Sequence, residues 1–255
     1  TEPINQIASS RPLIIQRSEI ALVTGLVMIS ALAAIADFGF GLPAFYHRLM
    51  NKQLFQAPPW HGVTSGPRTP ELVNAYIEIV PTDAVKYELD KWSGHLRVDR
   101  PQRFSSMSPT LYGFIPQTYC GREVGELCEL RTGRSGIEGD KDPMDICVLS
   151  EKTFAYGGFF LHARPIGGLR MIDGNQADDK IIAVLENDLA YGNLMEVRDV
   201  PHGLLDRLKH YFLSYKQLPS DQEKKVEIVD VYDRTEAMDV ITRSLRDYES
   251  EFGNG

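Results

Sequence analysis

Residues 139–149 read GDKDPMDICVL, a stretch that carries three carboxylates within six residues and then an apolar run. Alternation in an extended chain places Asp140 and Asp142 on one face. Pro143 cannot donate a hydrogen bond to a strand ladder, so it interrupts pairing and allows Asp145 to turn toward the same place. Three carboxylates gathered there repel one another unless cations lie between them. Because hard divalent ions prefer oxygen ligands, the stretch predicts a metal site beside a buried strand.

A second acidic stretch, residues 173–180, reads DGNQADDK and lies between a strand-like segment and the apolar run IIAVL. Alone, such a stretch is typical of a solvated turn. Two carboxylate-rich loops that each border a buried strand, however, are what a site for several metal ions needs. An EF-hand calcium loop is the competing interpretation of residues 140–151. That interpretation fails because Asp145 stands where the loop requires glycine.

Cationic and phenolic side chains accompany the acidic stretches. Lys86 and Glu88 alternate along one predicted strand, a pattern that is also typical of a solvated strand face. Arg100 lies in a short loop, and the pair Tyr215-Lys216 ends a predicted helix. Such side chains donate hydrogen bonds to phosphate oxygens, so they are candidate ligands for a phosphate group.

The bulk composition narrows the class of protein. The chain has 255 residues, 43% hydrophobic residues and a formal net charge of -8, which allows one large domain or two small ones. The negative charge argues against a general nucleic-acid binder and suits a protein that gathers cations. The sequence contains no Walker phosphate loop and no dinucleotide fingerprint. Cys147 lies in an apolar run and is predicted to be buried, and a reducing compartment is the simpler interpretation.

The first 56 residues differ in character from the rest of the chain. Residues 20–36 read IALVTGLVMISALAAIA without a charge, and extension to Phe38 reaches the roughly 20 residues that cross a bilayer. A membrane anchor, a helix buried against a partner subunit and a signal peptide are the three interpretations. We place the domain boundary after residue 56, which divides the chain into a hydrophobic extension, residues 1–56, and a second domain, residues 57–255.

These interpretations set the expected partners and location. Residues 13–56 are expected to attach the protein to a membrane or to the subunits of a membrane complex, in an organelle such as a mitochondrion or plastid. A cytoplasmic protein is the alternative. Association into a homo-oligomer is a further expectation, whereas nucleic acid is not an expected partner because the chain is acidic.

Hydrophobic patterning predicts short strands from residue 71 onward and helices at the C-terminal end. The predicted strands are residues 74–80, 85–89, 95–98, 147–149, 159–163, 168–172 and 181–185. The predicted helices are residues 46–55, 204–215 and 235–252, with Thr235 as a cap. This order predicts an α+β fold, in which a small closed, OB-like β-barrel is flanked by C-terminal helices and preceded by the N-terminal hydrophobic helix.

The motif at residues 140–145 resembles the D-x-D-P-x-D signature of family I soluble inorganic pyrophosphatases. Further segments resemble that family in the same order along the chain. They are EIVP at 78–81, KYE at 86–88, VDR at 98–100, YGFIPQT at 112–118, RPIG at 164–167, DGNQADDK at 173–180 and YK at 215–216. The ordered series is far more specific than one short motif.

The resemblance implies Mg2+-dependent hydrolysis of inorganic pyrophosphate to two phosphates by a metal-activated water. By resemblance, the magnesium ligands are Asp140, Asp145, Asp173, Asp178 and Glu78. Asp142 would be the base for the attacking water, and Tyr112 would donate a hydrogen bond nearby. The residues that would bind the two phosphates are Lys86, Arg100, Lys180, Tyr215 and Lys216. Glu88 would support the site from the strand that it shares with Lys86.

The sequence also departs from the family pattern. Ser108 stands where the family usually has a second tyrosine, four residues before Tyr112, and residues 119–139 look like an insertion. Trp60 and His61 precede the family-like region and receive no functional interpretation. An accessory subunit of a membrane complex with reduced or no activity is therefore the alternative function, and a binding module without catalysis is a third. The retained charged residues favour the active enzyme.

Overall fold

Ten strands and three α-helices make up the described part of the chain, residues 57–103, 105–216 and 226–253 of a computed structural model. The strands are β1 (Val73–Ile79), β2 (Val85–Leu89), β3 (Leu96–Pro101), β4 (Leu111–Phe114), β5 (Glu138–Gly139), β6 (Asp145–Leu149), β7 (Phe159–Asp173), β8 (Gln176–Ala177), β9 (Lys180–Leu185) and β10 (Val226–Asp233). The helices are α1 (Arg122–Thr132), α2 (His202–Ser214) and α3 (Arg234–Phe252), with a short 3-10 helix at Val197–Asp199.

Eight of these strands form one sheet, and β2 and β3 form a separate antiparallel hairpin. In the sheet, β1, β4, β6, β9 and β7 are successive hydrogen-bonded neighbours, and β7 pairs with β1 again. These five strands therefore form a closed cycle of pairings. The pairs β6–β9 and β5–β8 are parallel, and the other pairs in the sheet are antiparallel. Because β6 and β9 are parallel neighbours, both begin at the same end of the sheet.

The apolar run at residues 146–149 is uninterrupted because β6 is buried on both faces. Ile146 packs into one core cluster, together with residues of β1, α1 and α3. Cys147, which points to the other face, packs into a second cluster with Leu208 and Phe212 of α2. A strand that is covered on both sides reads as a continuous apolar run rather than as an alternation. The predicted burial of Cys147 is confirmed, and its thiol is free.

Residues 119–139, which look like an insertion in the sequence, contain α1 and β5. Val124 and Leu127 of α1 are buried in the same core cluster as β1. The residue before the helix, Gly121, has no side chain that could cap it, and the cap comes from Asp247 of α3 instead. The Asp247 carboxylate accepts hydrogen bonds from the backbone N–H groups of Gly121 at 3.0 Å, Glu123 at 2.9 Å and Val124 at 3.1 Å. Helix α1 is thus fixed to the C-terminal helix.

The predicted and observed strands agree in part. Strand β2 matches the predicted strand 85–89 at both ends. The predicted strands 159–163 and 168–172 are parts of one strand, β7, of 15 residues. Its register with β9 shifts between Pro165 and Gly167, because proline cannot donate to a ladder. Strands β4, β5, β8 and β10 are absent from the prediction.

The helix prediction needs two corrections. The order of strands first and helices last is wrong, because α1 lies between β4 and β5. Helix α3 begins one residue earlier than predicted, and its cap is Asp233 rather than Thr235, since the Asp233 side chain accepts a hydrogen bond from the N–H of Glu236 at 2.9 Å. An aspartate at this position also interacts favourably with the positive end of the helix dipole.

The predicted helices at residues 20–38 and 46–55 lie outside the described residues. Of the helices in the described ranges, none is both long enough and apolar enough to cross a bilayer.

Candidate active site

The two acidic stretches meet because of the parallel pair β6–β9. Asp145, the first residue of β6, lies directly opposite Lys180, the first residue of β9. The loops that enter these strands therefore lie side by side at one end of the sheet. Asp142 lies in the loop before β6 and Asp178 lies in the loop before β9. This pairing explains why the two acidic stretches lie side by side, as the sequence predicts.

A cavity of about 190 Å³ lies at this end of the sheet. Carboxylates dominate its lining: Glu78, Glu88, Asp140, Asp142, Asp145, Asp173 and Asp178. The cationic and phenolic residues that line it are Lys86, Lys91, Lys180, Lys216, Tyr112 and Tyr215. The remaining lining residues are Trp60, Leu89, Phe114, Pro143 and Gln176. Among the residues predicted from the sequence to form the site, Arg100 is the exception that lies outside this lining.

The loop at residues 140–144 is not an extended strand, so the expected alternation of Asp140 and Asp142 is wrong. Lys141 adopts a left-handed conformation with φ of 66°, and the N–H of Asp142 donates to Asp140 Oδ1 at 3.0 Å. Cys120 holds this turn, because its N–H donates to the carbonyl of Asp142 at 2.8 Å and its carbonyl accepts from the N–H of Lys141 at 3.0 Å. A tight turn, rather than strand pleating, therefore brings the two carboxylates to one cavity.

Gly139 makes this close approach to Cys120 feasible. A Cβ atom at residue 139 would lie 2.0 Å from the Cys120 carbonyl oxygen. Glycine is the residue that lets two backbone segments come so near each other. The glycine before the acidic motif is thus part of what holds the motif in place.

Lys180 is the best-buried cation of the site, with 1% of its side chain exposed. Its ammonium group lies 2.5 Å from Asp145 Oδ2 and also contacts the carboxylate of Asp178. Burial disfavours the charged form, but Asp145 and Asp178 outweigh it and raise the pKa of Lys180 well above its ordinary value. The lysine is therefore a permanent positive charge between two carboxylates.

Tyr112 of β4 fixes the orientation of Asp145. Its hydroxyl donates to Asp145 Oδ2 at 2.6 Å. Burial, together with the nearby charge of Asp145, raises the pKa of Tyr112 well above its ordinary value. Tyr112 thus stays protonated and remains a hydrogen-bond donor at neutral pH.

Burial disfavours the ionised form of two further carboxylates of the cavity, Glu78 and Asp140. Burial raises the pKa of Glu78 to about 8, even though Glu78 Oε1 accepts a hydrogen bond from the N–H of Leu89 at 2.7 Å. Burial and the charge of Asp178 likewise raise the pKa of Asp140 well above its ordinary value. Buried carboxylates that resist ionisation in this way are stabilised by a nearby cation.

Lysines neutralise the remaining acidic groups. Lys216 Nζ lies 2.5 Å from Asp173 Oδ2 and 3.9 Å from Asp178 Oδ2, and Lys91 contacts Asp142. Within residues 57–103, 105–216 and 226–253, no group of three or more histidine, cysteine or acidic side chains converges on one point as metal ligands do. Five of the seven lining carboxylates are instead paired with ammonium groups. The oxygen donors themselves are of the type that hard divalent ions bind.

The site combines carboxylates with lysines and tyrosines, and comparison with known proteins identifies the family. The family described as "Inorganic pyrophosphatase" matches residues 75–249. The chain belongs to the inorganic pyrophosphatase family. This finding confirms the resemblance drawn from the D-x-D-P-x-D motif.

Individual relatives agree with this assignment. An inorganic pyrophosphatase from Chlamydia trachomatis serovar L2 is 50% identical over 196 residues, which are 75% of this chain and 94% of that protein. A soluble inorganic pyrophosphatase from Oryza sativa subsp. indica is 35% identical over 196 residues, which are 77% of this chain and 81% of that protein. The crystal structure of inorganic pyrophosphatase from Thermus thermophilus has a TM-score of 0.64 and 28% identity, and covers 76% of this chain and 99% of that one.

Arg100 lies beside the cavity, at the end of the β2–β3 hairpin. Its guanidinium group contacts Asp99 and lies 5.8 Å from the ring centroid of Tyr215. Lys86, on the partner strand, lies 3.2 Å from Asp99 and 3.7 Å from Glu88. Arg100 therefore borders the pyrophosphatase site through its neighbours rather than through the cavity wall.

Ser108, which departs from the family pattern, lies outside the cavity lining. It is buried, and its hydroxyl donates to the carbonyl oxygen of Thr110 at 2.8 Å. The cavity retains Tyr112 and Tyr215 as its phenolic groups. The missing tyrosine is thus replaced by a local turn contact that leaves the acidic cluster in place.

The sequence analysis does not assign Trp60 and Lys91 to the site, although both line the cavity. Trp60 precedes the region that matches the family, and Lys91 lies in the turn between β2 and β3. A lysine in a hairpin turn is normally solvated, and a tryptophan before a domain is normally part of a linker or core. No spacing rule distinguishes these two residues, and only the fold brings them to the cavity.

Proposed function

We propose that this chain hydrolyses inorganic pyrophosphate to two phosphates. The observation that carries the proposal is the cavity lined by seven carboxylates and four lysines, in a chain that is 50% identical to a protein named inorganic pyrophosphatase. Anionic and cationic groups surround a small space, as an anionic substrate with bound cations requires.

Magnesium is the cofactor that we propose for the site. The ligands that we assign to it are Asp140, Asp145, Asp173, Asp178 and Glu78. These residues supply hard oxygen donors, and burial raises the pKa of several of them, so a divalent cation fits the donor set. When bound, magnesium lowers the pKa of a coordinated water and neutralises charge on the phosphates.

Asp142 is the proposed general base. Its side chain is 48% exposed, more than that of any other carboxylate with an ion pair in the cavity, so solvent water reaches it. The turn that Cys120 fixes orients its carboxylate toward the cavity. Asp142 would accept the proton of the attacking water, while Tyr112 holds the Asp145 carboxylate by its hydrogen bond.

The lysines and Tyr215 are the proposed phosphate ligands. Lys180 is held between two carboxylates, and Lys216 lies on the rim with 40% of its side chain exposed. Lys86 is steadied by Glu88 and Asp99, which is the supporting role we assign to Glu88. Arg100 would reach the substrate beside Tyr215. Such charge-assisted contacts position both phosphates and offset the charge that develops on the leaving group.

Phosphate release from pyrophosphate tests the proposal. The purified full-length chain should release two phosphates per pyrophosphate when magnesium is added, and release should stop when a chelator removes the ion. A folded chain that releases no phosphate at any magnesium concentration would contradict the proposed activity. It would then favour the accessory-subunit function, for which the retained acidic and basic groups give no support.

The finer features of the fold and location are part of the same proposal. We infer that the closed cycle of five strands is the small OB-like barrel expected from the sequence. Residues 57–255 cluster as one compact unit, which supports treating them as the catalytic domain. Attachment to a membrane or membrane complex through residues 13–56, and association into a homo-oligomer, stay predictions of the sequence.

A further inference from the structure

Residues 57–62, which precede the region matched by the family, reach the active-site cavity through Trp60. The Trp60 side chain is buried, with 5% exposed, and forms part of the cavity wall. Its Nε1 donates to the carbonyl oxygen of Thr118 at 2.8 Å, and its own carbonyl accepts from the N–H of Gln117 at 2.9 Å. One hydrogen bond from the indole and one to the backbone thus fix Trp60 to the segment that follows β4.

Aromatic contacts hold the indole from the other side. The rings of Trp60 and His61 stack with centroids 4.3 Å apart, and the Phe252 ring meets the indole edge-on at 5.5 Å. His61 Nδ1 lies 2.7 Å from the hydroxyl oxygen of Tyr248. Phe252 and Tyr248 belong to the last turns of α3. The orientation of the Trp60 ring is therefore set by hydrogen bonds and by packing together.

Lys91 is the group that the indole faces. Its ammonium nitrogen lies 5.5 Å from the Trp60 ring centroid and contacts the carboxylate of Asp142. Lys91 lies in the β2–β3 turn, where the Asp90 side chain accepts from the N–H of Ser93 at 2.8 Å. A Cβ atom added to Gly94 of the same turn would lie 3.3 Å from the Cα of Pro58, so the turn packs against the Trp60 segment. The face of a tryptophan ring attracts a cation at such a distance.

We propose that Lys91 binds a phosphate oxygen of pyrophosphate at the mouth of the cavity and that Trp60 is a positioning residue, which holds the Lys91 ammonium group there. The inference rests on the proposed function. The other three lysines of the cavity pair with lining carboxylates that are at most 32% exposed, whereas Lys91 pairs with Asp142, the proposed base, which is 48% exposed. Its flexible side chain needs an external constraint to stay there, since a free lysine samples many rotamers.

Steady-state kinetics of the full-length chain test the role of Lys91. The Lys91→Met variant keeps most of the length of the side chain but loses its charge, and we expect KM for pyrophosphate to rise about tenfold, with a smaller change in kcat. Lys91→Arg should restore most of the affinity. An unchanged KM in Lys91→Met would overturn the proposal, and so would a lower KM, which would mean that Lys91 blocks the site.

The role of Trp60 is tested by coupling. Trp60→Leu should raise KM about two- to thirtyfold, because that is the range of a lost cation–π contact, and Trp60→Phe should raise it less. The double variant Trp60→Leu/Lys91→Met should show the KM of Lys91→Met alone, since Trp60 acts through Lys91. Effects that multiply would show that Trp60 acts independently, and would overturn its assignment as a positioning residue.

Tryptophan fluorescence provides a readout that a merely structural role would not change. The chain has two tryptophans, and the second one, Trp92, is 98% exposed although it is next to Lys91 in sequence. Trp92→Phe should keep the wild-type KM and leaves Trp60 as the single emitter. In this background, addition of inorganic phosphate with magnesium should change the emission as Lys91 moves toward the anion. The change should be absent when Lys91→Met is added, and a change that persists there would contradict the proposal.

Failure of this inference is distinct from failure of the proposed function. A wild-type chain that releases phosphate, combined with variants at Lys91 and Trp60 that keep the wild-type KM and emission response, would leave the activity standing and remove the inference. A wild-type chain without phosphate release would remove the activity itself. Lys91 is on the surface, with 45% of its side chain exposed, so the Lys91 variants are expected to fold even if Trp60→Leu does not.

Discussion

The side chains of the active site fall into two groups with different roles, and the groups differ in burial. Lys180 and Tyr112 lie deep in the cavity and fix Asp145. Asp142 and Lys91 lie at the mouth, each about half exposed, where water and an anion can reach them. The buried pair therefore sets the shape of the site, and the exposed pair is available to react or bind.

We expect Asp142→Asn to lower kcat about 100- to 10,000-fold, because the amide is nearly isosteric but cannot accept the proton of the attacking water. The unfolding midpoint should change little, since the side chain is 48% exposed and has one ion-pair partner, Lys91. Turnover and a urea titration measure the two effects. Asp206→Asn, at an exposed position of α2, is the matched control, and wild-type turnover in Asp142→Asn would contradict its role as the base.

Asp145→Asn is expected to raise the magnesium concentration needed for half-maximal activity. A neutral amide oxygen is a weaker ligand for a hard cation than a carboxylate oxygen. The measurement is a magnesium activation curve at saturating pyrophosphate. Tyr112→Phe removes the hydrogen bond to Asp145 but leaves the charge, so its curve should shift less. If the Asp145→Asn curve coincides with that of the wild type, Asp145 is not a metal ligand.

The helices show how contacts distant in sequence complete local structure. Helix α1 begins at Arg122 without a capping side chain of its own and obtains its acceptors from Asp247, which lies 126 residues beyond Gly121. Helix α3, in contrast, is capped locally by Asp233. Helix α1 therefore depends on α3, and the link also secures the segment between Cys120 and β5 on which the D-x-D-P-x-D turn rests.

Asp247→Ala should lower the free energy of unfolding by about 2–3 kcal/mol, because it leaves three N–H groups at the start of α1 without an acceptor. Chemical denaturation monitored by circular dichroism measures this loss. Asp239→Ala on the same helix removes only a surface pair with Arg243 and should cost less than about 0.5 kcal/mol. Equal losses in the two variants would show that the cap contributes nothing beyond a surface contact.

The same elements show which features of the fold and the site can be predicted from the sequence and which cannot. Strand β6 is predictable because burial on both faces demands a continuous apolar run. Helix α1 is not, since its cap comes from Asp247, far along the chain. The D-x-D-P-x-D residues are recognisable as a motif, although their alternation on a strand was the wrong reason, because a turn at Lys141 places them. No spacing rule predicts that Trp60 and Lys91 belong to the site, because only the fold brings them together.

Taken as a whole, the described part of the chain is a β-structure with helices on its outside and one acidic cavity at the end of two parallel strands. The cavity draws residues from β1, β2, β4, β6, β7, β8, β9 and the end of α2. So many elements contribute that the site exists only in the folded domain. The compact unit that contains all of them begins at Ala57.

A chain that begins at Ala57 should fold and keep the kcat and KM of the full-length protein, because it retains Trp60 and all residues that line the cavity. By the sequence interpretation of residues 20–38, the same chain should no longer sediment with membranes or partner subunits. Activity assays and flotation of the two chains on lipid vesicles provide the comparison. Loss of folding or of activity on truncation would mean that the domain boundary after residue 56 is misplaced.

The strand pairings of β7 predict that backbone amides in different parts of the active site exchange with solvent at different rates. This strand is hydrogen-bonded to four others, β1, β8, β9 and β10, so its amides can exchange with solvent deuterium only when the whole sheet opens. The β2–β3 hairpin is a sheet of two strands with no other partner in the described residues, and its amides should exchange orders of magnitude sooner. Asp145 and Lys180 begin β6 and β9, and β9 is itself paired with β7. Lys86 and Lys91 belong to the hairpin, so opening of the hairpin alone would move these two lysines while the β6–β9 pair stays in place.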